Sequence, residues 1–187
     1  MKIYLKSIIP IATILLSFCA HTQEKTDNLS HENNVRTPVF FDFENVSGEK
    51  IAKGDFFIEA DDSFSFLLRY AAAKSSDRNK LIALLSGVVL NHQESREIQE
   101  IPTIVDLMVC KKFVGICVEL INERFTAVGL EGAGAISLED KNLYYKRRIT
   151  LKKLERGAYV VSAKIKPDHR FEFAVVKLSV SPLPRPY

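Results

Sequence analysis

A chain of 187 residues with 47% hydrophobic and 26% charged residues has ordinary globular composition, which excludes a disordered or collagen-like protein. The formal net charge is only +3, and loss of Lys2 and Lys6 with a leader lowers it by two, which gives no support to a dedicated nucleic-acid binder. One domain is expected, long enough to bury a core without a dense disulfide framework.

Lys2 and Lys6 precede an apolar run from Ile8 to Phe18, the basic-then-apolar order of a secretory leader, predicted over residues 1–19. A membrane-spanning helix needs roughly 20 apolar residues, whereas here polarity returns at once with His21, Thr22, Gln23, Glu24 and Lys25. The end of the run, Leu16-Ser17-Phe18-Cys19, resembles the lipobox of bacterial lipoproteins, in which the Cys is lipidated, although Phe18 stands where a small residue is usual. It also suits cleavage after Cys19 by the general signal peptidase, with Ser17 and Cys19 as the small residues. Both readings place the mature chain in the periplasm, either free or lipid-anchored to the outer or inner membrane. Residues 20–36 are rich in Asn, Thr, Ser, Glu and His, and are expected to form a disordered linker.

From Thr37 the pattern becomes one of short β-branched and aromatic runs with period two. Val39, Phe41 and Phe43 share a face of the first strand, and Phe56 and Ile58 share a face of another. Between Ser63 and Tyr70, Phe64, Phe66, Leu68 and Tyr70 point one way while Ser63, Ser65 and Arg69 point the other. One helix follows, capped by Ser76 or Asp77, with Leu81, Leu84, Leu85 and Val88 at helical spacing and Gly87 past its end. Asn91 to Glu100 reads as loop. Thr103 to Cys110 and Ile116 to Asn122 read as strands joined by Lys111 to Gly115. Phe125 to Val128 and Ala135 to Leu138 flank a glycine-rich loop at Gly129, Gly132 and Gly134, and Leu143 to Leu151 is a basic strand. Leu151, Leu154, Gly157 and Tyr159 resemble the tyrosine corner of immunoglobulin-like sandwiches. A last hairpin, Ala158 to Lys166 and Phe171 to Ser181, turns around Pro167 to Arg170, and residues 182–187 form a Pro-rich tail. Eight to nine strands and one short helix, without βαβ alternation, predict a mainly β, antiparallel immunoglobulin-like β-sandwich over residues 37–181.

The leader ending near Cys19, the run Val39-Phe40-Phe41-Asp42-Phe43, the strand ending Arg69-Tyr70, the helix ending Leu85-Ser86-Gly87, Ile101-Pro102, and Leu154-Glu155-Arg156-Gly157-Ala158-Tyr159 resemble a group of short proteobacterial exported or lipoprotein domains of unknown function. The resemblance implies a periplasmic β-sandwich and supplies no catalytic residues. Some small exported sandwiches serve as immunity proteins, a likeness at the level of fold.

Cys110 and Cys117 flank the expected hairpin turn, and in an oxidising compartment they are read as a disulfide, the alternative being two buried thiols. No Cys-x-x-Cys, His-Glu-x-x-His, calcium-loop or Gly-x-Ser-x-Gly pattern occurs, so no catalytic, cofactor or metal residues are assigned, and His92 and His169 each stand alone in loops. Asp61 and Asp62 read as turn residues. The most distinctive polar feature, between Asp140 and Arg156, is basic: Lys146, Arg147, Arg148, Lys152 and Lys153, with Tyr144 and Tyr145 interleaved. These seven are read as an interaction surface, against the alternative of an edge strand guarded by cations. The expectation is thus a non-enzymatic exported domain binding one protein partner, of immunity or inhibitor type. Its rival is an envelope-anchored accessory lipoprotein whose basic face touches the membrane.

Overall fold

The computed structural model of the chain describes residues 38–90, 95–97, 99–134 and 143–183; the expected leader with Cys19, the linker, His92 and the strand expected at Ala135 to Leu138 lie outside them. Among the described residues the order is β1 (Val39–Asp42), β2 (Glu44–Val46), β3 (Glu49–Ile58), β4 (Asp62–Ala72), α1 (Arg78–Ser86), β5 (Val88–Leu90), β6 (Ser95–Glu97), β7 (Thr103–Phe113), β8 (Ile116–Ala127), β9 (Gly132–Gly134), β10 (Tyr144–Leu154), β11 (Gly157–Ile165) and β12 (Ala174–Pro182). Two five-stranded antiparallel sheets, β1-β12-β4-β10-β9 and β2-β3-β11-β7-β8, enclose one core, and β5 pairs with β6. The fold is an antiparallel β-sandwich with one short helix.

The alternation in β4 does what period two dictates: Phe64, Phe66, Leu68 and Tyr70 are all sealed in the core. Facing them are Val105, Leu107 and Val109 of β7 and Tyr159, Val161 and Ala163 of β11, equally buried. Full burial of one such side chain stabilises by about 1.5–3 kcal/mol. Phe56 stacks on Tyr159 with ring centroids 5.3 Å apart, and the Tyr159 hydroxyl donates to the Glu155 carbonyl at 2.7 Å, the bond that defines a tyrosine corner. On the other face of β4, Arg69 is buried as well, its Nε donating to Ser179 Oγ at 2.8 Å and its guanidinium lying 5.0 Å from the Phe40 ring centre.

The chain changes sheets between β1 and β2, and there the Phe41 ring packs closely against Gly54 of β3. A Cβ at Gly54 would sit 2.2 Å from Phe41 Cε1, so only glycine permits this approach. Helix α1 closes one end of the sandwich, burying Leu81 and Leu85. It is preceded by a 3-10 turn at Ser75–Asp77, and Asp77, at the N-cap position, makes no side-chain cap bond. Gly87 ends it in the left-handed conformation, its N–H bonded to Ala83 O.

Several local expectations are revised. The strands expected at Ile116 to Asn122 and Phe125 to Val128 are one strand, β8; Glu123 and Arg124 do not break it because β8 is a sheet edge where both residues are exposed. The glycine-rich stretch is not simply a loop, since β9 pairs with Tyr144 to Lys146 of β10. Within the expected loop Asn91 to Glu100, Ser95–Glu97 pairs with Val88–Leu90. Pro182, read as tail, ends β12 opposite Phe64. The next N–H, of Leu183, bonds Ser63 O on β4, so the missing Pro182 N–H faces the β1 side, where the pairing among the described residues begins at Val39 and Val180.

Candidate functional site

The seven residues read as one interaction surface do not share a surface. Tyr144, Tyr145 and Arg147 are buried, so the exposed patch expected of them is corrected. Strand β10 is flanked by β4 and β9, and its inward positions follow the alternation Tyr145, Arg147, Ile149 into the interior. Lys146 is half-buried opposite Arg69, and burial and then Arg69 pull its pKa below the ordinary lysine value. Arg148 pairs with Glu131 at 2.9 Å. Lys152 and Lys153, at the far end of β10, remain exposed.

Arg147 is the largest fully buried side chain, and it works as a tie. Its guanidinium donates to the Ile101 carbonyl, to the Leu85 carbonyl at the end of α1, and to Glu100 Oε1 at 2.9 Å. The same Glu100 oxygen accepts the Gly129 N–H. One cation thereby joins the helix C-terminus, the entry to β7 and the turn before β9; an orphan helix carbonyl, that of Leu85, and a buried charge satisfy each other. Burial pushes the Arg147 pKa down, opposed by Tyr70 and Glu100. Among the described residues its Nε has no hydrogen-bond partner.

Two features on opposite ends of the sandwich can meet other molecules. The first is the β7–β8 hairpin, here called the finger. Cys110 and Cys117 form a disulfide across it with Cα atoms 5.5 Å apart. Beyond it the turn passes through Gly115 at φ 77°; Phe113, Val114 and Ile116 are 51%, 104% and 64% exposed there, and Val118, just after Cys117, is 42% exposed. At the finger base, Lys111 pairs with Glu155 at 2.8 Å and Lys112 with Asp55 at 2.7 Å. Lys111 to Gly115, expected as a plain connector, carries its signal in Phe113 and Val114, two large apolar residues inside a turn. Registers place at this same end the start of β1, the end of β12 and the β10–β11 turn with Arg156, beside Lys152 and Lys153. Asp61 and Asp62 are here too, and act as turn residues: Asp61 accepts the Arg156 N–H and Asp62 the Ser63 N–H.

The second feature, at the opposite end, is a cleft of about 320 Å³ between the start of β7, the end of β11 and the turn into β12. Pro102, Ile104, Ile165, Phe171 and Val176 supply apolar wall, while Lys50, Lys166, Thr103 and the exposed His169 supply polar groups. Asp168, also on the wall, is occupied: Arg170 donates to both its oxygens, and that contact holds its pKa down at about 2. Behind the wall, Thr103 Oγ1 is bonded to the Tyr70 hydroxyl at 2.7 Å and accepts from Arg147 Nη1 at 3.3 Å. Burial pushes the Tyr70 pKa up to about 12, so its hydroxyl keeps its proton. Among the described residues no cluster of His, Cys, Asp and Glu is placed to hold a metal ion.

No protein-family model and no curated protein matches the chain. Among solved structures, a crystal structure of a protein from Sulfurospirillum deleyianum is similar in fold, with a TM-score of 0.59 and 11% identity, covering 80% of this chain and 99% of that one. At that identity the likeness concerns the fold.

Proposed function

We propose that the chain is an exported, non-enzymatic binding domain of the periplasm that grips one protein partner with its finger, as an immunity or inhibitor-type protein does. The observation that carries the reading is the finger itself: four neighbouring apolar side chains held in water on a hairpin stapled by a disulfide. Exposed apolar groups gathered at one rigid point mark an interface, since a partner pocket recovers their burial with little loss of chain entropy. The basic-then-apolar leader and the disulfide both accord with an oxidising compartment outside the cytoplasm.

The test uses the mature chain as bait in periplasmic extract, beside the variant Val114→Asp/Ile116→Asp. One dominant protein held by the natural chain and lost by the variant is expected. Retention of the same proteins by both, or of none by either, overturns the reading.

A second reading rests on a specific arrangement: the finger, Lys152, Lys153, Arg156 and the start of β1 all lie at one end. A chain anchored through lipidated Cys19 would enter the domain where apolar and basic groups already face the same way, as an envelope accessory lipoprotein requires. Mass spectrometry of the mature N-terminus and sedimentation with anionic vesicles decide it: acylated Cys19 with finger-dependent sedimentation supports this reading, and an unmodified Ala20 start removes it.

A further inference from the structure

The cleft at the other end carries an inference of its own, independent of the finger. Thr103 and Tyr70 bring two hydroxyl protons, and one of them closes the 2.7 Å bond between the two oxygens. Arg147 has only protons to give, so its contact with Thr103 Oγ1 consumes an acceptor site and leaves the second hydroxyl proton without a taker among the described residues. Both residues line the cleft, but Tyr70 is 1% exposed whereas Thr103 is half-buried, so the unspent donor is assigned to Thr103.

Lys50 and Lys166 line the cleft and have no ion-pair partner among the described residues, while the carboxylate of Asp168 is matched by Arg170. Lys50 of β3 stands opposite Ile165, the last residue of β11, and Lys166 follows directly, so both lysines line the cleft. The buried Arg147 behind Thr103 adds to the positive potential, since its counter-ion Glu100 lies 31% exposed. Ile165, Phe171 and Val176 then offer an apolar surface beside these donors. A phosphate, strongly hydrated and doubly charged, needs more fixed donors than one hydroxyl and two surface lysines provide. A volume near the lower end of the range for ligand pockets suits a small molecule.

We propose that this cleft binds a small monocarboxylate with an apolar body, its carboxylate accepting from the Thr103 hydroxyl between Lys50 and Lys166 and its hydrocarbon part lying on Ile165, Phe171 and Val176. The ligand is defined by this chemistry, a short-chain aliphatic or aryl-substituted acid.

Phenylacetate and its neutral counterpart phenylacetamide are titrated into the mature chain by nuclear magnetic resonance, with inorganic phosphate as the anion control. Saturable binding of phenylacetate is expected, roughly tenfold tighter than the amide. Thr103→Val should weaken it about fivefold and Thr103→Ser should restore it, which separates the lost hydroxyl from any disturbance of folding. Lys50→Gln/Lys166→Gln should weaken it and remove most of its salt dependence. Equal binding of acid and amide, equal binding of phosphate, an unchanged Thr103→Val variant, or no saturation below about 10 mM overturns the proposal.

Discussion

Removing the guanidinium of Arg147 would leave the Leu85 and Ile101 carbonyls and the Glu100 carboxylate without the donor they were folded around. Arg147→Ala is therefore expected to cost about 3–5 kcal/mol, read as a fall in the urea midpoint. Arg147→Lys should recover less than half of that, because a single ammonium cannot span carbonyls that a planar fork reaches together. Asp168 sets a pH dependence. Arg170 holds its folded pKa at about 2, below the ordinary 3.8, so its contribution is present above about pH 4 and is lost as pH falls through 2. Acid titration followed by circular dichroism should show a shallower loss between pH 4 and 2 for Asp168→Asn than for the natural chain. At this scale the sequence was half legible. Tyr145, Arg147 and Ile149 alternate, so the period that identified the strand also directs Arg147 inward; what the string of letters hides is that Leu85, Glu100 and Ile101 wait there to receive it.

The finger is the element whose behaviour can be separated most cleanly. Opening its disulfide by Cys110→Ser/Cys117→Ser should lower stability by on the order of 2–2.5 kcal/mol, the chain-entropy value for so small a ring, measured by thermal melts of the oxidised natural chain and the variant. Val114→Asp should leave stability within about 0.5 kcal/mol, since that side chain is fully exposed. Hairpin and cysteine pair were legible because residue spacing and alternation are local. The extent of β8 was not: as an edge strand that is exposed along most of its length, apart from Ile121 and Ala127, it carries Glu119, Glu123 and Arg124 without penalty, and its charge run mimics a loop. The three-residue strands β2, β5, β6 and β9 escape for a related reason, being too short for a period to show.

For the whole molecule, the sandwich followed from the accumulation of alternating runs without intervening helices, and two inner faces built from β4, β7 and β11 realise it. Its candidate sites were less legible, because each end is assembled from turns far apart in sequence: the cleft draws on Lys50, Thr103, Lys166 and Val176 at once. Lying at opposite ends, finger and cleft should act independently. Val114→Asp is expected to leave phenylacetate affinity within about twofold, and Thr103→Val to leave partner capture intact, as separate affinity measurements on the two variants will show. The unequal surroundings of the two half-cystines have a kinetic consequence. An attacking thiolate meets the sulfur of Cys117 first, that residue being open to solvent, and the group it must then expel is Cys110, 4% exposed, where a departing negative charge finds little hydration. Exchange with small reductants is slowed on that account, and the hairpin keeps its shape while it waits for whatever it meets.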